Sequence, residues 1–222
     1  MAVAAGKMRE VLRGLEVFPA ELPEFDVKSA PGDPVTLFLS WLTEAVRDNI
    51  LGPHAMTLAT ADVAGHVSSR VLICKDVDED GRWYFASDSS SVKGRDLAAN
   101  PRAAASFYWP QHGRQIRVCG EAAPAGSQAS AADFLARPPA SRAAALAGPQ
   151  SEPLAGQAEL AEAFRRSQAE VDANPGLVAP GWTLYALSAD SVEFWQADHQ
   201  RRHLRLQYQR TPGGWITHLL WP

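Results

Sequence analysis

From residue 55 onward the apolar positions alternate. "AMTLATA", "HVSSRVLICKDV", "RWYFAS", "AAASFYW" and "RQIRVCGEA" each carry a period-two pattern, separated by turn signals such as Ala64-Gly65 and Asp80-Gly81. The series reads as an antiparallel meander. Ahead of it, Val35, Phe38, Leu42 and Val46 follow Asp33-Pro34 at helical spacing, an N-cap with proline at the first helical position, which predicts a helix over roughly 34–49. Between the third and fourth strands, "SSSVKGRDLAANP" supplies capping serines and a short helix that stops at Asn100-Pro101. The alanine-rich stretch from about 127 to 173 is helical, with Leu160, Phe164 and Val171 on one face and breaks at "RPPAS" and "AGPQSEP". Strands resume at "WTLYALS", "SVEFWQA", "RHLRLQYQR" and "GWITHLL". Strands, helices, then strands predict an α+β fold built on a closed or partly closed antiparallel barrel. Residues 1–32 contain "VFPAELPEFDVKSAPGDP" and read as an extended arm, leaving 33–222 as a single domain.

Composition narrows the function more than the fold. At 222 residues with 46% apolar side chains, one well-filled core is expected. A net charge of -4 argues against a general nucleic-acid binder, so any anion site has to be local. Cys74 and Cys119 lack CxxC spacing and are expected to be reduced core thiols. No apolar run reaches signal-peptide or membrane-spanning length, so a cytoplasmic protein with no membrane partner is expected. GxGxxG after a strand, GxxxxGK[ST], HExxH and GxSxG are all missing, which disfavours a dinucleotide Rossmann site, a P-loop, a zincin and an α/β-hydrolase. Of six scattered histidines only His199 and His203 have spacing a metal could use, and no cysteine or carboxylate cluster accompanies them, so no metal is expected.

The cationic residues carry the remaining signal. In "SRVLICK", alternation puts Arg70, Leu72 and Cys74 on one face and Val71, Ile73 and Lys75 on the other; the two charges either meet ligands or extend to water at the strand ends. "SSSVKG" joins hydroxyls, Lys93 and a helix start, a good anion cradle and also an ordinary capped surface helix. Gln115, Arg117 and Cys119 share a face, and a glutamine inside an apolar strand needs a partner, such as the amide edge of a ring system. In "RRHLRLQYQR", alternation lines up Arg201, His203 and Arg205, which repel one another unless an anion or solvent lies over them. Trp195 in "EFWQ" offers a flat face beside them.

Taken together, "RVLICK", "SVKGRDLAANP", "GRQIRV", Arg137-Pro138, "PQSE", "VEFWQ", the RxHxR pattern and the closing "GWITHLLWP" resemble the pyridoxamine 5'-phosphate oxidase family of FMN-dependent split-barrel flavoproteins. The likeness runs from about Asp33 to Pro222. It implies FMN held by Arg70, Val71, Leu72, Ile73, Cys74 and Lys75, by Ser87, Lys93 and Gln115, and across a homodimer interface by Gln150, Ser151, Trp195 and Arg205. It implies a small phosphorylated or aromatic-acid substrate held by Lys75, Arg137, Ser141, Arg201 and His203, hydride transfer to the flavin, and reoxidation by O2. Three positions depart from the vitamin B6 enzymes of the family. Asp133 stands where a phosphate-binding tyrosine is expected, Val92 where an arginine precedes the "KG" lysine, and Ala86 where an aromatic precedes Ser87. The arm also lacks their lid motif and, with "SFYW", looks more like the phenazine-biosynthesis branch. The resemblance therefore implies pyridoxine/pyridoxamine 5'-phosphate oxidation first, with a flavin oxidase of reduced aromatic acids second and a non-catalytic flavin-binding dimer third.

Overall fold

The computed structural model describes residues 5–222. Helix α1 (Ala5–Arg13) and a 3-10 turn (Val27–Ser29) precede α2 (Pro34–Arg47). Strands β1 (Ala55–Ala61), β2 (Val67–Ile73), β3 (Asp76–Val77) and β4 (Arg82–Asp88) lead to α3 (Val92–Ala99). Then come β5 (Arg102–Trp109), β6 (Arg114–Pro124), and helices α4 (Ser127–Leu135), α5 (Pro139–Leu146) and α6 (Gln157–Ala173). The chain closes with β7 (Trp182–Gln196), β8 (Leu204–Thr211) and β9 (Gly214–Leu219).

The strands form one antiparallel sheet in the order β2-β1-β5-β6-β7-β4-β3, and β8 and β9 continue from β7. This is the expected α+β class, curled into a half-barrel, but it is not a meander. β1 pairs with β5, and β4 pairs with β7. Alternation fixes which face of a strand is buried and leaves its neighbours undetermined.

The two predicted strands "WTLYALS" and "SVEFWQA" are a single strand, β7, of 15 residues. Along one edge its partner changes from β4, opposite residues 182–188, to β8, opposite 191–196, while β6 runs along the other edge. At the changeover the β6 register slips between Cys119 and Gly120. A Cβ at Gly120 would stand 1.9 Å from the Ser188 carbonyl oxygen, so only glycine allows this approach.

Helix α2 buries its apolar face in the core. The Asp33 carboxylate caps it by accepting from the Val35 and Thr36 amides. Its apolar stripe drives Phe38 and Trp41 edge-on into Trp83, Phe107 and Phe194. The N-terminal segment is not wholly extended, because the helical spacing within residues 5–13 forms α1; residues 1–4 lie outside the described residues. Its later part is tied to the body by Phe25 against Trp41 and by Tyr208 Oη donating to the Pro31 carbonyl at 2.7 Å.

Candidate functional site

Three groups of polar side chains emerge from this scaffold. The first lies where β2 faces α3. Arg70, Leu72 and Cys74 point inward as alternation requires, while Val71 and Ile73 are exposed on the opposite face. Arg70 donates through Nη1 to the Leu58 carbonyl (3.2 Å) and Thr60 Oγ1 (2.9 Å), and through Nη2 to Ser68 Oγ (2.6 Å). Thr60 in turn donates to Asp96 Oδ2 on α3 at 2.6 Å. Ser91 caps α3, and two residues on, the buried Lys93 donates from Nζ to Ser91 Oγ and to Gln150 Oε1, both at 3.1 Å. Ser87 Oγ reaches the same Gln150 oxygen at 3.3 Å, and Ser151 Oγ accepts from the Val92 amide at 3.4 Å. Gln150 and Ser151, expected across a subunit interface, thus already lie against Ser87 and α3 in their own chain, because the α5–α6 connection folds back over that helix.

Burial, and then the nearby Arg70 charge, hold the Lys93 ammonium below the usual lysine range. Burial also lowers Arg70, partly offset by Asp96. Two desolvated cations therefore meet beside hydroxyl and amide acceptors. A bound anion would relieve that repulsion. Cys74, just past the end of β2, is pushed up to about 12 by burial and stays a neutral thiol.

The second group gathers on the indole of Trp182. Lys75 Nζ pairs with Asp133 Oδ1 at 2.8 Å, and Trp182 Nε1 donates to Asp133 Oδ2 at 2.8 Å. The Arg137 guanidinium stacks 4.0 Å from the Trp182 ring centroid, with Nη1 buried and without a hydrogen-bond partner. Ser141 is half-buried at the start of α5. A cavity of about 460 Å³ opens between the α5–α6 connection and α6, with Asp88, Gln150 and Trp182 in its wall together with Leu160 and Phe164 of α6. Of the three side chains that the spacing puts on one face, Val171 is buried, while Leu160 and Phe164 line this opening and are exposed.

The third group crosses β6, β7 and β8, where Gln115 stands opposite Trp195 and Trp195 opposite Arg205. Arg205 Nε donates to buried Glu193 at 2.7 Å and Nη1 to the Trp221 carbonyl at 2.7 Å, while Arg117 pairs with the other Glu193 oxygen. The expected alignment of Arg201, His203 and Arg205 does not form. β8 starts only at Leu204; Arg201 is exposed in a left-handed turn (φ 66°) that Asp198 organises by accepting from the Gln200 and Arg202 amides. His203 reaches the site by another route, its ring 4.8 Å from Trp195 and its Nδ1 accepting from the Asp198 amide. Among the described residues no hydrogen bond or salt bridge joins this third group to the other two.

Sequence reasoning passed over several residues here. Phe18 packs on Trp195 at 5.8 Å, and His199 Nε2 lies 3.1 Å from the Ala20 carbonyl, so the arm crosses the Trp195–His203 face. Thr60, Asp96, Glu193 and Trp182 hold the cations in place. Only an aromatic in the proline-rich arm and a buried acid between two strand arginines hinted at them.

Residues 42–170 match the family model described as pyridoxamine 5'-phosphate oxidase, and residues 182–222 match that of the pyridoxine 5'-phosphate oxidase C-terminal dimerisation region. The chain belongs to the pyridoxamine 5'-phosphate oxidase family. This is a family of FMN-dependent oxidoreductases, and its split-barrel fold is the one seen here. A pyridoxine/pyridoxamine 5'-phosphate oxidase of Pseudomonas paraeruginosa is 42% identical over 200 residues, covering 87% of this chain and 91% of the relative. Among solved structures, PhzG from Burkholderia lata in complex with tetrahydrophenazine-1-carboxylic acid is 30% identical with a TM-score of 0.83, covering 93% of this chain and all of that one. A pyridoxamine 5'-phosphate oxidase-related, FMN-binding protein from Nostoc punctiforme, 20% identical over 87% of this chain and 99% of that one, shares the fold at a TM-score of 0.71. Among the described residues of this family member no helix is long and apolar enough to cross a membrane, and no cluster of histidine, cysteine and carboxylate side chains could hold a metal.

Proposed function

We propose that this chain is an FMN-dependent oxidase that converts pyridoxine or pyridoxamine 5'-phosphate to pyridoxal 5'-phosphate, with O2 as acceptor, and that it works as a homodimer. The observation that carries the proposal is a pair of cationic places in one chain, Lys75 and Arg137 gathered on Trp182 and the desolvated Arg70–Lys93 cradle beside α3. Two anion-binding places suit a phosphorylated cofactor and a phosphorylated substrate.

The residues fit FMN. Lys93 is buried with only neutral acceptors and repelled by Arg70, so a phosphate is the partner this cradle lacks. Arg70, Ser87, Lys93, Gln150 and Ser151 would hold it, with the backbone of Val71, Leu72, Ile73 and Cys74 along the ring. Bound FMN supplies a hydride acceptor that O2 can reoxidise. Lys75, Arg137 and Ser141 would hold the substrate phosphate, and Arg201 and His203 its ring end. Trp195 and Arg205 stand apart from the cradle in a single chain, so a second copy would complete the site, consistent with the dimerisation region matched at 182–222.

The test is anaerobic bleaching of FMN-loaded protein by pyridoxine or pyridoxamine 5'-phosphate, followed by air. Bleaching, then pyridoxal 5'-phosphate and peroxide, is expected. A flavin that only a chemical reductant bleaches would sink the proposal. Asp133, a carboxylate beside the substrate-side cations, favours a second reading, oxidation of a reduced aromatic acid. Bleaching by a tetrahydrophenazine carboxylic acid, and not by the phosphate esters, would establish that one.

A further inference from the structure

We propose that Asp133 is a specificity-determining residue that acts as an internal anion, occupying Lys75 and so lowering the preference of the substrate subsite for phosphate. The inference rests on the reading of Lys75 and Arg137 as the substrate-side cations. Its basis is how firmly this carboxylate is held. Asp133 sits in the last turn of α4, next to Phe134, which is fully buried and packs edge-on against Trp182 at 5.7 Å. The same helix is pinned to β7 by Ser130, whose Oγ accepts from the Leu184 amide at 3.0 Å and donates to the Gly126 carbonyl. With its backbone fixed, the carboxylate spends one oxygen on Trp182 Nε1 and the other on Lys75 Nζ. Its side chain is 15% exposed and that of Lys75 28%, so the pair is only partly screened by water.

Charge arithmetic sets the consequence. Lys75 and Arg137 contribute two positive charges and Asp133 one negative, leaving the subsite at +1. Arg137 is the cation left over: it stacks on the same indole and keeps Nη1 buried and unpaired. A planar carboxylate matches one guanidinium fork and one charge. A phosphate dianion has to share Lys75 with Asp133 at close range, and like charges there oppose it. Asp133 thus discriminates by repulsion, compressing the advantage of a phosphate ester over the same ring without phosphate or with a carboxylate.

The experiment uses FMN-loaded protein, native and Asp133→Asn. Asparagine keeps an acceptor for Trp182 and removes the charge, and retained flavin content certifies the fold. Calorimetric binding of pyridoxal 5'-phosphate and of pyridoxal gives the phosphate preference as a ratio of affinities. The ratio is expected to rise about tenfold in Asp133→Asn, the size of one charge-assisted contact. Lys75→Met is expected to erase that gain in the Asp133→Asn background and return the ratio to about its native value, because the lysine freed from Asp133 is the charge that produces the gain. An unchanged ratio in Asp133→Asn, or a raised ratio that survives Lys75→Met in that background, would overturn the proposal. If neither ring compound binds either protein, the B6 substrate assignment fails by itself. Asp133 is then judged on inorganic phosphate: stabilisation of FMN-loaded Asp133→Asn alone supports its role, and equal stabilisation of both proteins overturns it.

Discussion

Lys93 shows what a single side chain contributes when its charge is buried for a purpose. Its ammonium is depressed by desolvation and by Arg70, and on the proposed reading the FMN phosphate reverses that shift. Lys93→Ala should weaken FMN by about 1.5–3 kcal/mol, roughly ten- to a hundredfold, measured by recovery of free-flavin fluorescence on dilution. The sign with pH follows from the same group. Because binding needs the charged lysine and its pKa is lowered, FMN affinity should fall as pH rises, beginning below the ordinary lysine range, and Lys93→Ala should flatten that limb of the profile. Arg201→Ala, in an exposed turn, should leave FMN content unchanged; loss of flavin from it would reverse the division between cofactor and substrate residues. At this scale the sequence was readable where a strand was real. Arg70, Leu72 and Cys74 share a face because β2 covers all but the last of them, whereas Arg201 and His203 were aligned by a periodicity that starts only at Leu204.

Among the elements, α2 and α3 were legible because their caps are written locally, in Asp33-Pro34 and in Ser91. β7 was not. "SADS" at 188–191 has the composition of a turn, yet the chain runs straight through it, since β6 pairs along both halves and only the other edge changes partner. The cost of that junction falls on Gly120. Gly120→Ala forces a methyl onto the Ser188 backbone and should lower Tm by about 3–10 °C, seen in thermal unfolding of the apo protein. Gly94 faces the same limit at the start of α3, where a Cβ would stand 2.3 Å from the Ser89 carbonyl oxygen. Gly94→Ala should loosen FMN as well as lower Tm, because it moves the turn that carries Lys93; a variant with normal flavin affinity would show that the cradle tolerates that shift.

For the whole molecule, the proposed site needs surface that one chain leaves open. Val67, Val71 and Ile73 are exposed on the outer face of β2, and Leu219 and Trp221 are exposed at the C-terminal end. Sedimentation should find a dimer, and diluting the protein below its dimer dissociation constant should release FMN in step. A monomer that keeps its flavin would contradict the shared site. Strand order is the part of the architecture that local pattern could not supply, because the pairing of β1 with β5 and of β4 with β7 depends on contacts distant in sequence. One property of β7 reaches beyond geometry. β4, β6 and β8 all hydrogen-bond to this one strand, so neither side of the half-barrel can open while it holds. Amides from about 185 to 196 should be the last to exchange with deuterium, and the domain should melt as one cooperative unit, not as two.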